Sequence, residues 1–206
     1  MDNTLFDFVH AKMIACRSII DHIGKGNPDD LFQCFVTNNL GFENPENIKL
    51  YLKEIGLDPD ILYEECCVMY ETKKVEDIPV YPFVEETFSK LKNLGIPIVV
   101  VTDAHSSNAR VRLEKAGLDG LVDDLITCDI TGAKKPSLKV FQHVLDKFNL
   151  LPYQAIYVGD SIDRDVEPAK RIGMIAVHAA YGDRNLGEKR IVEPDHVLGC
   201  IIDVVK

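Results

Sequence analysis

The chain has 206 residues, a length that fits one medium-sized domain or a core with a smaller inserted domain. Hydrophobic residues make up 46% of it, enough to bury a substantial core, which excludes an intrinsically disordered protein. The formal net charge of -10 argues against nucleic acid as a partner, because nucleic acid selects basic surfaces. A small anionic substrate is compatible with this charge, since a bound metal ion can reverse the local field.

The sequence predicts a cytoplasmic protein that does not bind a membrane. No apolar run approaches the length of a membrane span, and no signal-peptide pattern precedes the first predicted helix. None of the cysteines forms a Cys-x-x-Cys pair, and most have apolar neighbours, which favours reduced structural thiols over zinc or disulfides. They are Cys16, Cys34, Cys66, Cys67, Cys128 and Cys200. The sequence gives no indication of the oligomeric state.

Residues 10–79 have the pattern of consecutive helices joined by short links. Each predicted start after the first combines an Asn or Asp cap with Pro at the first helical position, and two of the ends carry Gly. The predicted helices are Ala11–Gly24, Pro28–Leu40, Pro45–Ile55 and Pro59–Lys73. Short links between helices favour a small bundle.

From residue 82 the pattern alternates between helix and strand. The predicted helices are Val84–Leu94, Ser107–Ala116, Leu138–Phe148 and Val166–Ile172, and the predicted strands are Ile96–Val101, Leu125–Cys128, Ala155–Val158 and Met174–His178. This alternation predicts an α/β fold, with a Rossmann-like parallel sheet and helices on both faces. We therefore predict an α/β core formed by residues 1–9 and 80–206, with residues 10–79 inserted as a helical bundle.

Polar side chains follow two of the predicted strands, where ligands bind in open α/β sheets. Thr102 and Asp103 come directly after one strand, and Asp160 follows Gly159 at the end of another. The loop at 132–136 carries Lys135 just before a helix. The strand that would precede Asp2-Asn3-Thr4 lies upstream of the printed residues.

Taken in order, these segments resemble the four motifs of the haloacid dehalogenase (HAD) superfamily of aspartyl phosphotransferases. The stretch 1–8 reads Met-Asp-Asn-Thr-Leu-Phe-Asp-Phe, which is similar to the tail of Asp-x-Asp-x-Thr. The similarity spans nearly the whole chain and includes Tyr81-Pro82, Ala169 and Gly173. It implies the phosphatase branch with an α-helical cap, which contains phosphoglycolate phosphatases and nucleotidase-like proteins. The cap would be the helical stretch at 10–79.

The resemblance implies a role for each polar residue. Asp2 matches the general acid/base, whose backbone carbonyl also binds the metal. Thr102 and the amide of Asp103 match the phosphoryl-binding donors, and Lys135 matches the lysine that offsets negative charge.

A second set of acidic residues matches the metal site of the family. Asp160 matches the Mg²⁺ ligand, and Asp165 matches the second acid, acting through water or by orienting Lys135. Asp163 fits this spacing less well and is better interpreted as a carboxylate at a helix N-terminus. The predicted metal set is therefore Asp2, Asp160 and Asp165, with Mg²⁺ as the cofactor.

The nucleophile of the motif would lie one residue before Met1. In the family fold the strand that carries it lies between the strands ending at Thr102 and Gly159. A chain without it should be poorly stable, because several buried apolar side chains, each worth roughly 1.5–3 kcal/mol, would be missing. We expect the true protein to start a few residues earlier, with a hydrophobic strand ending in Asp.

The resemblance predicts a Mg²⁺-dependent phosphomonoesterase that acts on a small phosphorylated metabolite. Phosphoglycolate, nucleoside monophosphates and sugar phosphates are all plausible substrates, and the mutase branch is a close variant. Asp2 favours phosphate-ester hydrolysis, because dehalogenases and phosphonatases lack this acid. The alternative is a catalytically inactive relative that binds phosphate or Mg²⁺, and a structural protein is a third. Additional candidate contacts are His10, Lys12, Arg17, Asn38 and His105.

Overall fold

The computed structural model describes residues 1–76, 78–184 and 192–206. It divides into two compact units. The core unit consists of Met1–Asp7 and Val80–Lys206, and the helical unit consists of Phe8–Pro79. All six cysteines are free. In the described ranges, every helix is too short or too polar to cross a bilayer.

The helical unit contains four helices, as the sequence predicts. They are α1 (Phe8–Ile23), α2 (Pro28–Thr37), α3 (Glu46–Glu54) and α4 (Pro59–Glu76). The Asn27 side chain accepts a hydrogen bond from the amide of Asp29 at 2.8 Å, which confirms the predicted N-cap of α2. Helix α2 ends earlier than predicted because Asn38 adopts an extended backbone conformation.

The interior of the helical unit is continuous and aromatic. Phe35 and Tyr70 stack with ring centroids 4.8 Å apart, and Ile19 and Leu31 are fully buried beside them. Lys12 is also fully buried, with its ammonium group 3.3 Å from the centroid of the Phe42 ring. The Lys12 ammonium therefore packs inside this unit.

The core unit has the α/β architecture that the sequence predicts. Its helices are α5 (Val84–Asn93), α6 (Ser106–Lys115), α7 (Cys128–Thr131), α8 (Leu138–Phe148) and α9 (Glu167–Ile172). Its strands are β1 (Val99–Val101), β2 (Asp124–Ile126), β3 (Ile156–Gly159), β4 (Ile175–Ala179) and β5 (His196–Leu198). All strand pairs are parallel, which confirms a Rossmann-like α/β fold.

The boundaries of all four predicted strands differ from the predictions, and β3 and β4 each lie one residue later along the chain than predicted. Strand β1 begins at Val99 rather than Ile96, because Pro97 has no amide hydrogen and the amide of Ile98 donates to the Asp123 side chain at 2.8 Å. Strand β2 ends at Ile126 because Cys128 begins the short helix α7. The sequence analysis did not predict β5.

The strands form two separate sheets, β1–β2 and β3–β4–β5. Among the described residues, β1 has one hydrogen-bonded neighbour, β2, and β3 also has one, β4. Both strands line a cavity of about 560 Å³ with largely apolar walls, which include Phe88, Val100, Phe141 and Tyr157. The division lies between the strands that end at Thr102 and Gly159, which flank a further strand in the family fold that the sequence resembles.

Candidate active site

The first residues of the chain form a tight turn against the core unit. The amide of Leu5 donates to the Met1 carbonyl at 2.8 Å, and Asn3 has a φ of 54°. The Tyr181 hydroxyl donates to the Thr4 carbonyl at 2.7 Å. This turn places Thr4 beside Asp160, which follows β3.

The polar residues that the sequence predicts for the site are connected by hydrogen bonds at the strand ends. Nζ of Lys135 lies 2.6 Å from Oδ1 of Asp165, and the backbone amide of Lys135 donates to the Asp103 carboxylate at 2.8 Å. The Thr4 hydroxyl donates to Oδ1 of Asp160 at 3.4 Å. The loop that carries Lys135 therefore contacts the loops that follow β1 and β3.

Asp160 lies at the carboxyl end of β3 and is 5% exposed. Its carboxylate accepts a hydrogen bond from the Thr4 hydroxyl at 3.4 Å, and its backbone carbonyl lies 3.2 Å from Nε2 of His178. Burial, together with the nearby charge of Asp165, raises the pKa of the Asp160 carboxyl. A cation close to this carboxylate would therefore stabilise its ionised form.

Asp165 is held by three hydrogen-bond donors. Oδ1 lies 2.6 Å from Nζ of Lys135 and 3.0 Å from the hydroxyl of Tyr157, and Oδ2 accepts from the amide of Ser161 at 3.2 Å. Although burial opposes ionisation, the Lys135 charge and hydrogen bond lower the pKa of Asp165. The pKa of Lys135 is raised, because Asp165 outweighs the effect of burial.

Gly159 gives Asp165 the space for this position. A Cβ atom at residue 159 would lie 2.4 Å from Cγ of Asp165, far closer than non-bonded carbons approach. The absence of a side chain at this strand end is therefore a steric requirement of the site.

Thr102 and Asp103 follow β1, as predicted. Thr102 is 4% exposed, and its hydroxyl accepts a hydrogen bond from the amide of Ala104 at 3.2 Å. The Asp103 carboxylate accepts from the backbone amide of Lys135 at 2.8 Å. Asp103 thereby ties the loop after β1 to the loop that carries Lys135, a contact that the sequence analysis missed.

Asp2 pairs with an arginine that the sequence analysis did not identify. Nη1 of Arg112, in the middle of α6, lies 2.9 Å from Oδ2 of Asp2. The Arg112 side chain is 0% exposed, whereas that of Asp2 is 23% exposed. Arg112 sits in a helix with other charged residues, so only the tertiary structure distinguishes it from a solvent-facing side chain.

The structure does not assemble the predicted metal set as three converging carboxylates. Asp2 contacts Arg112 and Asp165 contacts Lys135, while Asp160 contacts Thr4. Over residues 1–76, 78–184 and 192–206, no group of three or more His, Cys, Asp or Glu side chains is placed to hold a metal ion. Their role as metal ligands is still a prediction.

Two further candidates from the sequence, His105 and Asp163, lie at helix starts. Nδ1 of His105 accepts from the amide of Ser107 and caps α6, and this side chain is 61% exposed. Asp163 is exposed, in contrast to the buried Asp165, in agreement with its interpretation as a carboxylate at a helical N-terminus.

The donor chemistry at Asp160 fits Mg²⁺. Mg²⁺ prefers oxygen ligands and keeps several waters, so one or two carboxylates suffice. The Asp160 carboxylate and the backbone carbonyl of Asp2 are hard oxygen donors of this kind. Burial and the charge of Asp165 disfavour the ionised form of Asp160, and a divalent cation beside this carboxylate would offset that free-energy cost.

Comparisons with known proteins agree on the family. A family model described as "Haloacid dehalogenase-like hydrolase" matches residues 1–179. The magnesium-bound candidate HAD-hydrolase YfnB from Bacillus subtilis has a similar structure, with a TM-score of 0.75 at 19% identity, covering 99% of this chain and 93% of that chain. At this identity the likeness supports the fold alone.

Two curated relatives are phosphatases. The glyceraldehyde 3-phosphate phosphatase of Methanocaldococcus jannaschii is 34% identical over 115 residues, which cover 56% of this chain and 50% of that protein. The aligned segment thus spans half the length of that relative. The phosphoglycolate phosphatase of Neisseria gonorrhoeae is 26% identical over 217 aligned positions, covering 99% of this chain and 89% of that protein. Together they support a hydrolase that acts on phosphate esters.

Proposed function

We propose that this chain, which belongs to the haloacid dehalogenase-like hydrolase family, is a Mg²⁺-dependent phosphomonoesterase that acts on a small phosphorylated metabolite. It would act through an aspartyl-phosphate intermediate if an Asp directly precedes Met1. One observation carries the proposal. Nζ of Lys135 contacts Asp165 at 2.6 Å and the Lys135 amide donates to Asp103 at 2.8 Å, so the loops that follow β1 and β3 meet at this lysine.

The proposed site supplies the charge that phosphoryl transfer requires. The Lys135 ammonium and the Thr102 hydroxyl would donate to the phosphoryl oxygens, aided by the Asp103 amide. Mg²⁺, when held by Asp160 and the Asp2 carbonyl, would neutralise further negative charge on the phosphoryl group. Asp165 would keep Lys135 charged and oriented, which agrees with their 2.6 Å contact.

The proposed reaction has two displacements. Where an aspartate directly precedes Met1, its carboxylate oxygen would attack phosphorus, while the ester P–O bond breaks and the leaving alcohol takes a proton from Asp2. Water would then attack the phosphorus of the acyl phosphate and give its proton to Asp2. Breaking the bond between phosphorus and the aspartate oxygen releases inorganic phosphate and restores both carboxyl groups.

Three proteins test this proposal. The first is the 206-residue chain, the second carries about five apolar residues and an Asp before Met1, and the third carries the same extension with Asn in place of that Asp. Phosphate release is measured with glyceraldehyde 3-phosphate, phosphoglycolate, nucleoside monophosphates and sugar phosphates. We expect turnover only for the Asp protein with Mg²⁺, and its loss on chelation with EDTA. Turnover by the Asn protein would exclude the assigned nucleophile.

The second candidate is a protein that binds phosphate and Mg²⁺ without turnover. It is favoured by the presence of Thr102, Lys135 and Asp160 in the described core unit, because these side chains could bind both ions without a nucleophile. Calorimetry with inorganic phosphate and Mg²⁺ distinguishes the candidates. Binding by all three proteins, with no phosphate release by any of them, would favour the second candidate.

A further inference from the structure

Tyr157 connects the interior of the core unit to the charged site. It lies on β3, and its ring packs against Phe141 with the centroids 4.8 Å apart. The same ring lines the cavity between β1 and β3. Its hydroxyl reaches past this apolar wall and donates to Oδ1 of Asp165 at 3.0 Å.

The hydroxyl of Tyr157 completes a set of three donors on one carboxylate. The amide of Ser161 fixes Oδ2 of Asp165, while Lys135 and Tyr157 share Oδ1. Without the tyrosine hydroxyl, Oδ1 keeps the Lys135 ammonium as its donor, so the position of this pair is less restrained on the Oδ1 side. A shift of about 1 Å in a group that positions a reactant is enough to weaken its action strongly.

The hydroxyl of Tyr157 meets a carboxylate that is part of an ion pair. Oδ1 of Asp165 lies 2.6 Å from the Lys135 ammonium and 3.0 Å from the phenol oxygen. Donation to the ionised Asp165 is a charge-assisted hydrogen bond, which is stronger than a neutral one.

We propose that Tyr157 is a positioning residue that fixes Asp165, and through it directs the Lys135 ammonium toward the phosphoryl group. The proposal rests on the proposed function of this site in binding a phosphoryl group. It also implies that packing in the apolar cavity affects the site, because one side chain belongs to both.

The test uses Tyr157→Phe, which removes only the hydroxyl, and Tyr153→Phe as a matched control at a 66% exposed tyrosine. Binding of inorganic phosphate is measured by calorimetry. The Lys135 ammonium protons are observed by ¹H–¹⁵N spectroscopy at low temperature and assigned with Lys135→Ala. We expect Tyr157→Phe to weaken phosphate binding by roughly three- to tenfold, the effect of one hydrogen bond. It should also broaden the ammonium signal, whereas Tyr153→Phe changes neither.

If Tyr157 only stabilises the fold and does not position Asp165, the result is different. In that case Tyr157→Phe lowers the urea midpoint but leaves the phosphate dissociation constant and the Lys135 signal as in the unmodified protein, which would overturn the proposal. If the unmodified protein binds no phosphate, the proposed function fails. The Lys135 signal then still decides whether Tyr157 fixes the ammonium group.

Discussion

The helical unit and the core unit enclose their hydrophobic interiors in different ways. In the helical unit, four helices enclose one continuous cluster, and predicted side-chain caps lie at the helix starts. In the core unit, β1 and β3 each have one edge with no strand partner among the described residues, and both edges lie beside an apolar cavity. The difference shows that helices are completed by nearby residues, whereas a parallel sheet depends on strands that are remote in the sequence.

The largest expected effect comes from supplying a strand to the core unit. We expect an extension of about five apolar residues before Met1 to raise the free energy of unfolding by roughly 5 kcal/mol or more, because each buried side chain contributes about 1.5–3 kcal/mol. Hydrogen exchange should slow at the amides of β1 and β3 and stay unchanged in α1–α4. Urea denaturation and exchange mass spectrometry provide the measurements.

The control is an extension of the same length made of Gly and Ser. It adds chain without apolar side chains and should leave stability within about 0.5 kcal/mol of the unextended protein. Equal stabilisation by both extensions would mean that the cavity does not accept an apolar strand, and the contrast between the two units would then need another explanation.

The helical unit should respond to loss of packing instead. Phe35→Ala removes a 1% exposed ring that stacks on Tyr70 and should cost about 3–5 kcal/mol. Val36→Ala, at the neighbouring position that is 52% exposed, is the matched control and should change stability little. Urea denaturation followed by far-UV circular dichroism measures both, and similar losses for the two variants would contradict a closed core in this unit.

The pair of Arg112 and Asp2 tests how firmly the first turn of the chain is attached to the core unit. Arg112→Met keeps the length of the buried side chain and removes its charge, and we expect a loss of about 2–3 kcal/mol, since one partner is partly exposed. Arg110→Met changes an exposed arginine of the same helix and serves as the control. A loss no larger than that of the control, measured by urea denaturation, would mean that the pair contributes nothing net.

The smallest expected effect is a dependence of stability on pH at Asp160. Its carboxyl pKa is raised in the folded state, so the folded protein holds this proton more tightly, and stability falls as the pH rises through the window above the ordinary value. Asp160→Asn should therefore stabilise the metal-free protein at neutral pH, with the advantage disappearing at acidic pH. Thermal melts from pH 4 to 7 test this, and a constant difference across that range would contradict it.

Local signals in the sequence account for most of the predicted fold. Asn or Asp before a proline specifies helix starts, and β-branched runs such as that before Thr102 specify buried strands, because both act over a few residues. A predicted strand boundary is wrong where a side chain remote in the sequence takes a backbone hydrogen bond, as the Asp123 carboxylate does at the amide of Ile98. Strand β5 escapes prediction because its pairing with β4 depends on contacts across the fold rather than on its own short pattern.

The site shows the same division. Thr102, Lys135, Asp160 and Asp165 are candidates because their order and spacing follow a family pattern, and the structure shows the contact between Lys135 and Asp165. Their catalytic roles are still predictions. Arg112 and the carboxylate role of Asp103 could not be predicted, since each acts through a partner distant in the sequence. Tyr157 could not be predicted either, because its strand pattern does not show that its hydroxyl donates to Asp165. No local pattern distinguishes a buried arginine on a helix from an exposed one.

Gly159 limits how the protein can vary. Because a methyl group there would occupy the space of the Asp165 carboxyl carbon, alanine cannot replace this glycine unless the acid moves. Moving the acid releases Lys135, so one added carbon atom at position 159 would alter a charge contact made by a different loop. A library of variants selected for phosphate binding should accordingly recover glycine at this position, even though the residue carries no functional group.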